Sequence, residues 1–418
     1  MGTVSEHAVH LDLEKLRVPE GHFLRKLPAV GALVAVVGVV ACAAMVVMGG
    51  EESRRQFFFS YLVAYAFFAS IAVGGLFFVL VNLLTSAGWS VTLRRGAENA
   101  AGTLPLLALM FVPLAFGLHD LYQWTDEAIV AHDPILQHKH AYLNIGFFAV
   151  RAVLILGGWA FMGWWFRRES VLQDTAGERD VSFAGMRTTS TRRLRKAAGP
   201  AMYAFALTTS FAAFDWIMSL EPHWYSTIFG GYFFAGTVVA IMALLILVNN
   251  ALQGTGLLGD AVTDEHYHDL GKYLFGFVVF WGYMAFSQFL LIWYANIPEE
   301  TAWYHQRAEG SWMLASRVIL FGHFLIPFFF FIPRTIKRAR PLLFLGAGYM
   351  LLIHLADIHW LVMPTLHHDG MHASLMDLAA LLVVGGGFVA ALSWNMTHSA
   401  LVPLKDPRLA EAVAFENF

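Results

Sequence analysis

Ten times the chain runs apolar for about 20 residues, the length that carries a helix across the hydrocarbon core of a bilayer. The runs lie at 27–49, 57–85, 99–119, 143–166, 198–218, 227–251, 271–294, 312–333, 342–363 and 374–397. Inside hydrocarbon every backbone N–H and C=O must be satisfied within the protein, so such segments fold as helices. The expected fold class is therefore an all-α polytopic membrane protein with ten transmembrane helices. Composition agrees: only 14% of the 418 residues are charged, against roughly 25% in soluble domains. The net charge of −3 gives no reason to expect a nucleic-acid partner. The one cysteine, Cys42, lies inside the first run. It leaves no disulfide within the chain, no cysteine-ligated iron–sulfur cluster and no CxxCH haem attachment. The run at 27–49 is too long for a signal peptide and follows a polar stretch, so it reads as a membrane span.

Lysine and arginine orient the spans. With the N-terminus inside, 21 of the 27 basic residues fall in inner segments, four (Arg54, Arg55, Lys139, Arg307) in outer loops and two (Arg151, Arg317) within spans. The bias places both termini in the cytoplasm. The long basic loop 167–197 then belongs at the cytoplasmic lipid headgroups or against a partner. The segment "FDWIMSLEPHWYS" at 214–226 faces outward.

Weak self-similarity runs through the chain. "FFA" recurs at 67–69 and 233–235, and the same offset carries Arg151 onto Arg317. Asp215 and Asp357 are each followed by proline seven residues later. Together these imply two parallel four-helix units, 57–218 and 227–363, related by an axis along the membrane normal. Single helices 27–49 and 374–397 flank them, with cytoplasmic tails at 1–26 and 398–418.

Charges inside spans are costly, so they face the bundle interior and find partners. Arg151 lies about 12 Å inside the outer end of its span, at the helical rise per residue. Two buried pairs are expected, Arg151–Asp215 and Arg317–Asp357, either as structural locks or as working charges. "HLADIHWLVMP" places His354 and Asp357 three residues apart on one helix face, with His359 on another. A carboxylate beside an imidazole suits proton transfer or contact with a hydroquinone. His119, Asp120, Glu221 and His223 gather at the outer ends of their spans, as an outer polar pocket or as ordinary interfacial residues. Asn82, Asn249, Asn250, Ser287, Gln288 and His323 lie deeper, as a proton path or as bridges between helices. The outer-loop histidines of "QHKH" (137–140) and "LHHDGMH" (366–372) show no recognised metal-ligand spacing, and no metal is expected.

"FDWIMSLEPHWYSTIFGGYFFAG" (214–236), "HLADIHWLVMP" (354–364) and "LVPLKDPRL" (401–409) resemble the NrfD-like membrane subunits of alternative complex III. The resemblance covers nearly the whole chain and is strongest to the second such subunit, the ActF type. It implies two four-helix bundles flanked by single helices, in the bacterial cytoplasmic membrane. It also implies membership of a respiratory quinol-oxidising complex. Partners would be a sister NrfD-like subunit, an iron–sulfur protein, multihaem cytochrome c subunits and a terminal oxidase or soluble carrier. Haem and iron–sulfur clusters would sit on those partners. This subunit would carry no covalent cofactor, with quinone or menaquinone as a reversible ligand. Two other readings fit the residues alone: a stand-alone proton-coupled transporter, and a structural anchor for peripheral redox subunits.

Overall fold

The computed structural model describes residues 12–183 and 186–417. Nine helices in it are long and apolar enough to cross a membrane. They are α1 (Leu27–Leu84), α2 (Val91–Phe116), α3 (Ile145–Ala176), α4 (Ser190–Trp216), α5 (Phe229–Gly254), α6 (Asp264–Ala295), α7 (Trp312–Phe331), α8 (Arg340–Val362) and α9 (Leu375–Thr397). The chain is thus built as an all-α polytopic membrane protein.

The first two apolar runs share α1, which breaks at Gly50, where φ is +64°. Glycine reaches that conformation without the Cβ clash that other residues meet. The two arms then run in opposite directions along α9. In the first arm Gly31 meets Ala390 and Gly38 meets Val383, so the arm is antiparallel to α9. In the second, Ser60 meets Asp377 and Phe68 meets Phe388, so it is parallel. Glycine lets the first contact form: a Cβ at Gly31 would lie 2.7 Å from the backbone of Ala390 and of Gly386. Small residues that let backbones approach are the usual glue between membrane helices, because lipid removes the hydrophobic drive. The outward side of the first arm carries Leu33, Val40 and Val47, all exposed, as a lipid-facing surface would.

The second arm of α1 and α5 form the centre of the molecule. The arm packs on α2, α4 and α5, and α5 packs in turn on α6 and α8. α2 is interrupted at Gly102–Thr103 and again at Phe111, with Pro105 and Pro113 opening the next pieces, positions where proline's missing N–H costs nothing. Loop 167–197 is mostly ordered structure rather than open loop. α3 continues to Ala176, α4 begins at Ser190, and strands β1 (Asp180–Phe183) and β2 (Met186–Thr189) pair antiparallel between them.

The N-terminal end of α2, the C-terminal end of α3 and the C-terminal segment are tied by a buried ion network. Arg95 reaches Glu98 and Asp174 at 2.8 and 2.7 Å, and Arg94 reaches Glu98 and Asp406 at 2.9 and 2.7 Å. Asp174 also accepts from the backbone N–H of Leu404 at 2.9 Å. Through Asp406 the "KDPRL" segment is fastened to α2.

Candidate functional site

The two aspartates that the repeat aligns sit in different chemistry. Asp215, near the end of α4, forms the expected pair. Arg151 Nε lies 2.7 Å from Oδ2 and its Nη2 3.1 Å from Oδ1. Tyr142 donates to Oδ1 at 2.8 Å, and its carbonyl accepts from Arg151 Nη1 at 3.0 Å. The guanidinium lies between the Tyr142 and Phe147 rings, 3.8 and 4.4 Å from their centroids. A two-pronged, fully bonded pair of this kind holds α3 against α4.

Asp357 has no such cation among the described residues. Arg317 does not pair with it, contrary to the sequence expectation, and forms no ion pair among those residues. Arg317 lies on an outward face of α7 and borders a cavity instead. The carboxylate of Asp357 accepts from the Tyr232 hydroxyl and from Trp281 Nε1, the latter at 3.3 Å. Both of these donors are neutral, so its protonation can change without breaking an ion pair.

Two histidines complete this cluster. His354 stands three residues back on α8, and Ser70 Oγ lies 2.9 Å from its Nε2. His323 comes from α7, where Leu320–Leu325 form a π turn. Such turns add a residue to the helical register and recur at functional sites. The His323 ring packs 3.9 Å from Trp281, centroid to centroid. Metal-ligating atoms of His323, His354 and Asp357 lie within 4.8 Å of one another, and all three residues are buried. Both nitrogens of His323 and Nδ1 of His354 lack hydrogen-bond partners among the described residues. Gly236 on α5 makes the room, since a Cβ there would come within 2.8 Å of His354 Cε1.

Beside the cluster, towards the C-terminal end of α6, lies a cavity of about 710 Å³. Apolar side chains of α6 and α7 form most of its wall, and Tyr232 and Trp281 separate it from Asp357. Its polar lining includes Gln288, Tyr304, Arg307 and Ser316. Gln288 donates to the Tyr304 hydroxyl at 3.2 Å, and its Oε1 has no partner among the described residues. Arg307 closes the short helix Pro298–Arg307 and is only 1% exposed. Its guanidinium stacks 3.6 Å from the Trp303 ring and donates to the carbonyls of Trp303, Trp360 and Leu361. Two of those carbonyls belong to the last turn of α8, where a helix presents negative partial charge. Burial pushes Arg307 down to about 9, opposed by nearby Glu221, so it stays cationic at neutral pH.

The remaining sequence candidates scatter. His119 is exposed just beyond the C-terminal end of α2, and Asp120 pairs with Arg54 at 3.1 Å. Glu221 accepts from Thr365 at 3.1 Å and so joins the segments after α4 and α8. His223 lies 2.5 Å from Asp133. His359 faces away from Asp357 and borders a separate groove with Asp377. Asn82 and Asn249 donate to carbonyls four residues back on their own helices, at 2.7 Å each. Among the described residues, neither is linked by hydrogen bonds to the cluster. Sequence reading missed Tyr232, Trp281, Tyr304 and Arg307. Tyr232 and Trp281 carry no charge to flag them, and Arg307 sits in what reads as an ordinary outer loop.

The fold and site define a polytopic helical membrane protein with a buried carboxyl–histidine cluster and an adjoining amphiphilic cavity. A comparison with protein-family models finds no match for this chain, and a comparison with curated proteins finds none either.

Proposed function

We propose that the chain is a cofactor-free membrane subunit of a respiratory quinol-oxidising complex, of the ActF type of alternative complex III, in a bacterial cytoplasmic membrane. In this reading the two arms of α1 cross separately, giving ten crossings, two four-helix units and cytoplasmic termini. The observation that carries the reading is the shared wall: Tyr232 and Trp281 line the cavity and also bond Asp357.

The cavity fits a quinol-type ligand. Its volume of about 710 Å³ falls within the roughly 300–1,000 Å³ of small-molecule sites. Its apolar walls suit a ring and tail, and Arg307, Gln288 and Tyr304 offer polar contacts to ring oxygens. A quinol supplies two protons and two electrons on oxidation. Tyr232 then acts as the proton carrier: its hydroxyl passes a proton to the Asp357 carboxylate and is refilled from the cavity side. His354 and His323 extend the path inward from Asp357. Trp281 holds the carboxylate in place and closes the cluster to bulk water. Electrons leave through metal centres of partner subunits: a sister NrfD-like subunit, an iron–sulfur protein and multihaem cytochromes, on to a soluble carrier or oxidase.

The test is isolation of the tagged chain from native membranes in mild detergent, followed by a reduced-minus-oxidised spectrum. The reading expects stoichiometric c-type haem bands and several co-purifying subunits. A colourless chain that purifies alone with full stability contradicts it.

A further inference from the structure

We infer that His323, His354 and Asp357 form a binding site for a borderline divalent transition cation such as zinc(II), a property beyond the quinol reading; it uses the residues that reading assigns to proton transfer, so a cation held there blocks the inward path from Asp357. The ligand set is two imidazoles and one carboxylate. Nitrogen-rich sets of this kind suit zinc, cobalt or iron rather than calcium or magnesium, which prefer all-oxygen cages.

The residues are positioned as ligands are. Their donor atoms lie within 4.8 Å of one another and all three side chains are buried. In a tetrahedral zinc site, bonds of about 2.0–2.1 Å put donor atoms roughly 3.4 Å apart, so the side chains close inward by an ångström or so on binding. Their outer supports are present. Ser70 engages Nε2 of His354 at 2.9 Å, which leaves Nδ1 as the ligating atom. Tyr232 and Trp281 orient the Asp357 carboxylate, whose oxygens keep a free lone pair each. Hydrogen bonds of this type fix tautomer and ring orientation at metal centres.

The strongest indication is the set of unpaired atoms. Nδ1 and Nε2 of His323 and Nδ1 of His354 have no partner among the described residues, although His323 is 0% and His354 1% exposed. Leaving a buried polar atom unsatisfied is costly, because it has given up its water without gaining a partner. A cation takes the lone pairs of one nitrogen on each ring at once. The π turn of α7 is what brings His323 to this point. Three protein ligands leave a coordination position open for an exchangeable ligand.

The test uses the full chain in detergent with His138, His140, His367, His368 and His372 replaced by alanine, to remove the histidines of both motifs as competing ligands. After loading with cobalt(II) and desalting, bound metal is counted by mass spectrometry and the visible d–d bands are recorded. One retained equivalent with a tetrahedral or five-coordinate spectrum is the expected result; no retained equivalent overturns the site. Adding His323→Ala should abolish the retained metal and the bands, and retention at the same level also overturns it. Ser70→Ala should weaken binding by about 10–100-fold, the usual effect of losing an outer-shell partner, while a variant with unchanged affinity contradicts the assigned geometry.

Discussion

At the scale of the residue, Asp215 and Asp357 show how one aligned position acquires two characters. Asp215 is fixed by a cation, and its removal should be structural. Arg151→Leu alone leaves the carboxylate buried and unpaired, so it should destabilise by about 3–5 kcal/mol, whereas Arg151→Leu with Asp215→Leu should be close to neutral. Thermal unfolding of the two variants in detergent checks this; equal losses would show that the pair adds net stability. Asp357, bound by neutral donors, should behave in the opposite way. Tyr232→Phe should keep the fold but slow quinol turnover by about 10²–10⁴-fold, the range for lost proton transfer. In the segment between α2 and α3, the His223 hydrogen bond, with backbone N–H groups of Leu136 and Ile135, holds Asp133 below the usual carboxylate range. A depressed value stabilises the loop above the ordinary carboxylate pKa of about 3.9, and that contribution is lost as pH falls through the lower folded value. Hydrogen exchange at residues 135–137 should therefore stay protected at pH 5 and open only below the normal range. In His223→Ala the opening should move up towards that range. Asp215 was readable from sequence with its partner because a buried arginine needs a carboxylate. The partners of Asp357 were not readable, because tyrosine and tryptophan donors are common and carry no charge signal.

At the scale of the element, two departures from regular helix decide the site. The break at Gly50 folds α1 back so that both arms meet α9. Its position follows from sequence, since polar residues 50–56 separate two apolar runs. The π turn at Leu320–Leu325 could not be read, because "LFGHFL" lies within a continuous apolar segment and hydropathy does not register one extra residue. Deleting Leu320 should restore α-helical register and rotate either His323 or the start of α7 by about 100°, one residue of a 3.6-residue turn. The close Trp281–His323 ring contact should then be lost, which tryptophan fluorescence quenching can follow. A variant with native fluorescence and full function would show that the turn has no part in placing His323. Close packing of α1 on α9 depends on missing side chains, so Gly386→Leu should prevent assembly of the first arm, visible as loss of folded protein on size-exclusion chromatography.

At the scale of the whole molecule, the helical membrane architecture followed from ten apolar runs and sparse charge. Hydrocarbon leaves the backbone few alternatives, which is why that level was legible. The buried ion network was not, since the adjacent Arg94 and Arg95 lie far in sequence from Asp174 and from Asp406, and all read as ordinary loop charges. The candidate site was half legible: His354 and Asp357 stand out as polar residues in one span, while the cavity depends on four helices meeting. Its link to Asp357 through Tyr232 and Trp281 is the central claim. The most direct test is quinol turnover, with proton release recorded alongside, in the complex carrying Asp357→Asn. The expected result is a complex that assembles with its full complement of haem, with turnover or its coupled proton release reduced by about 100-fold or more. An assembled complex with wild-type turnover and wild-type proton release would contradict it and leave Asp357 as a structural residue.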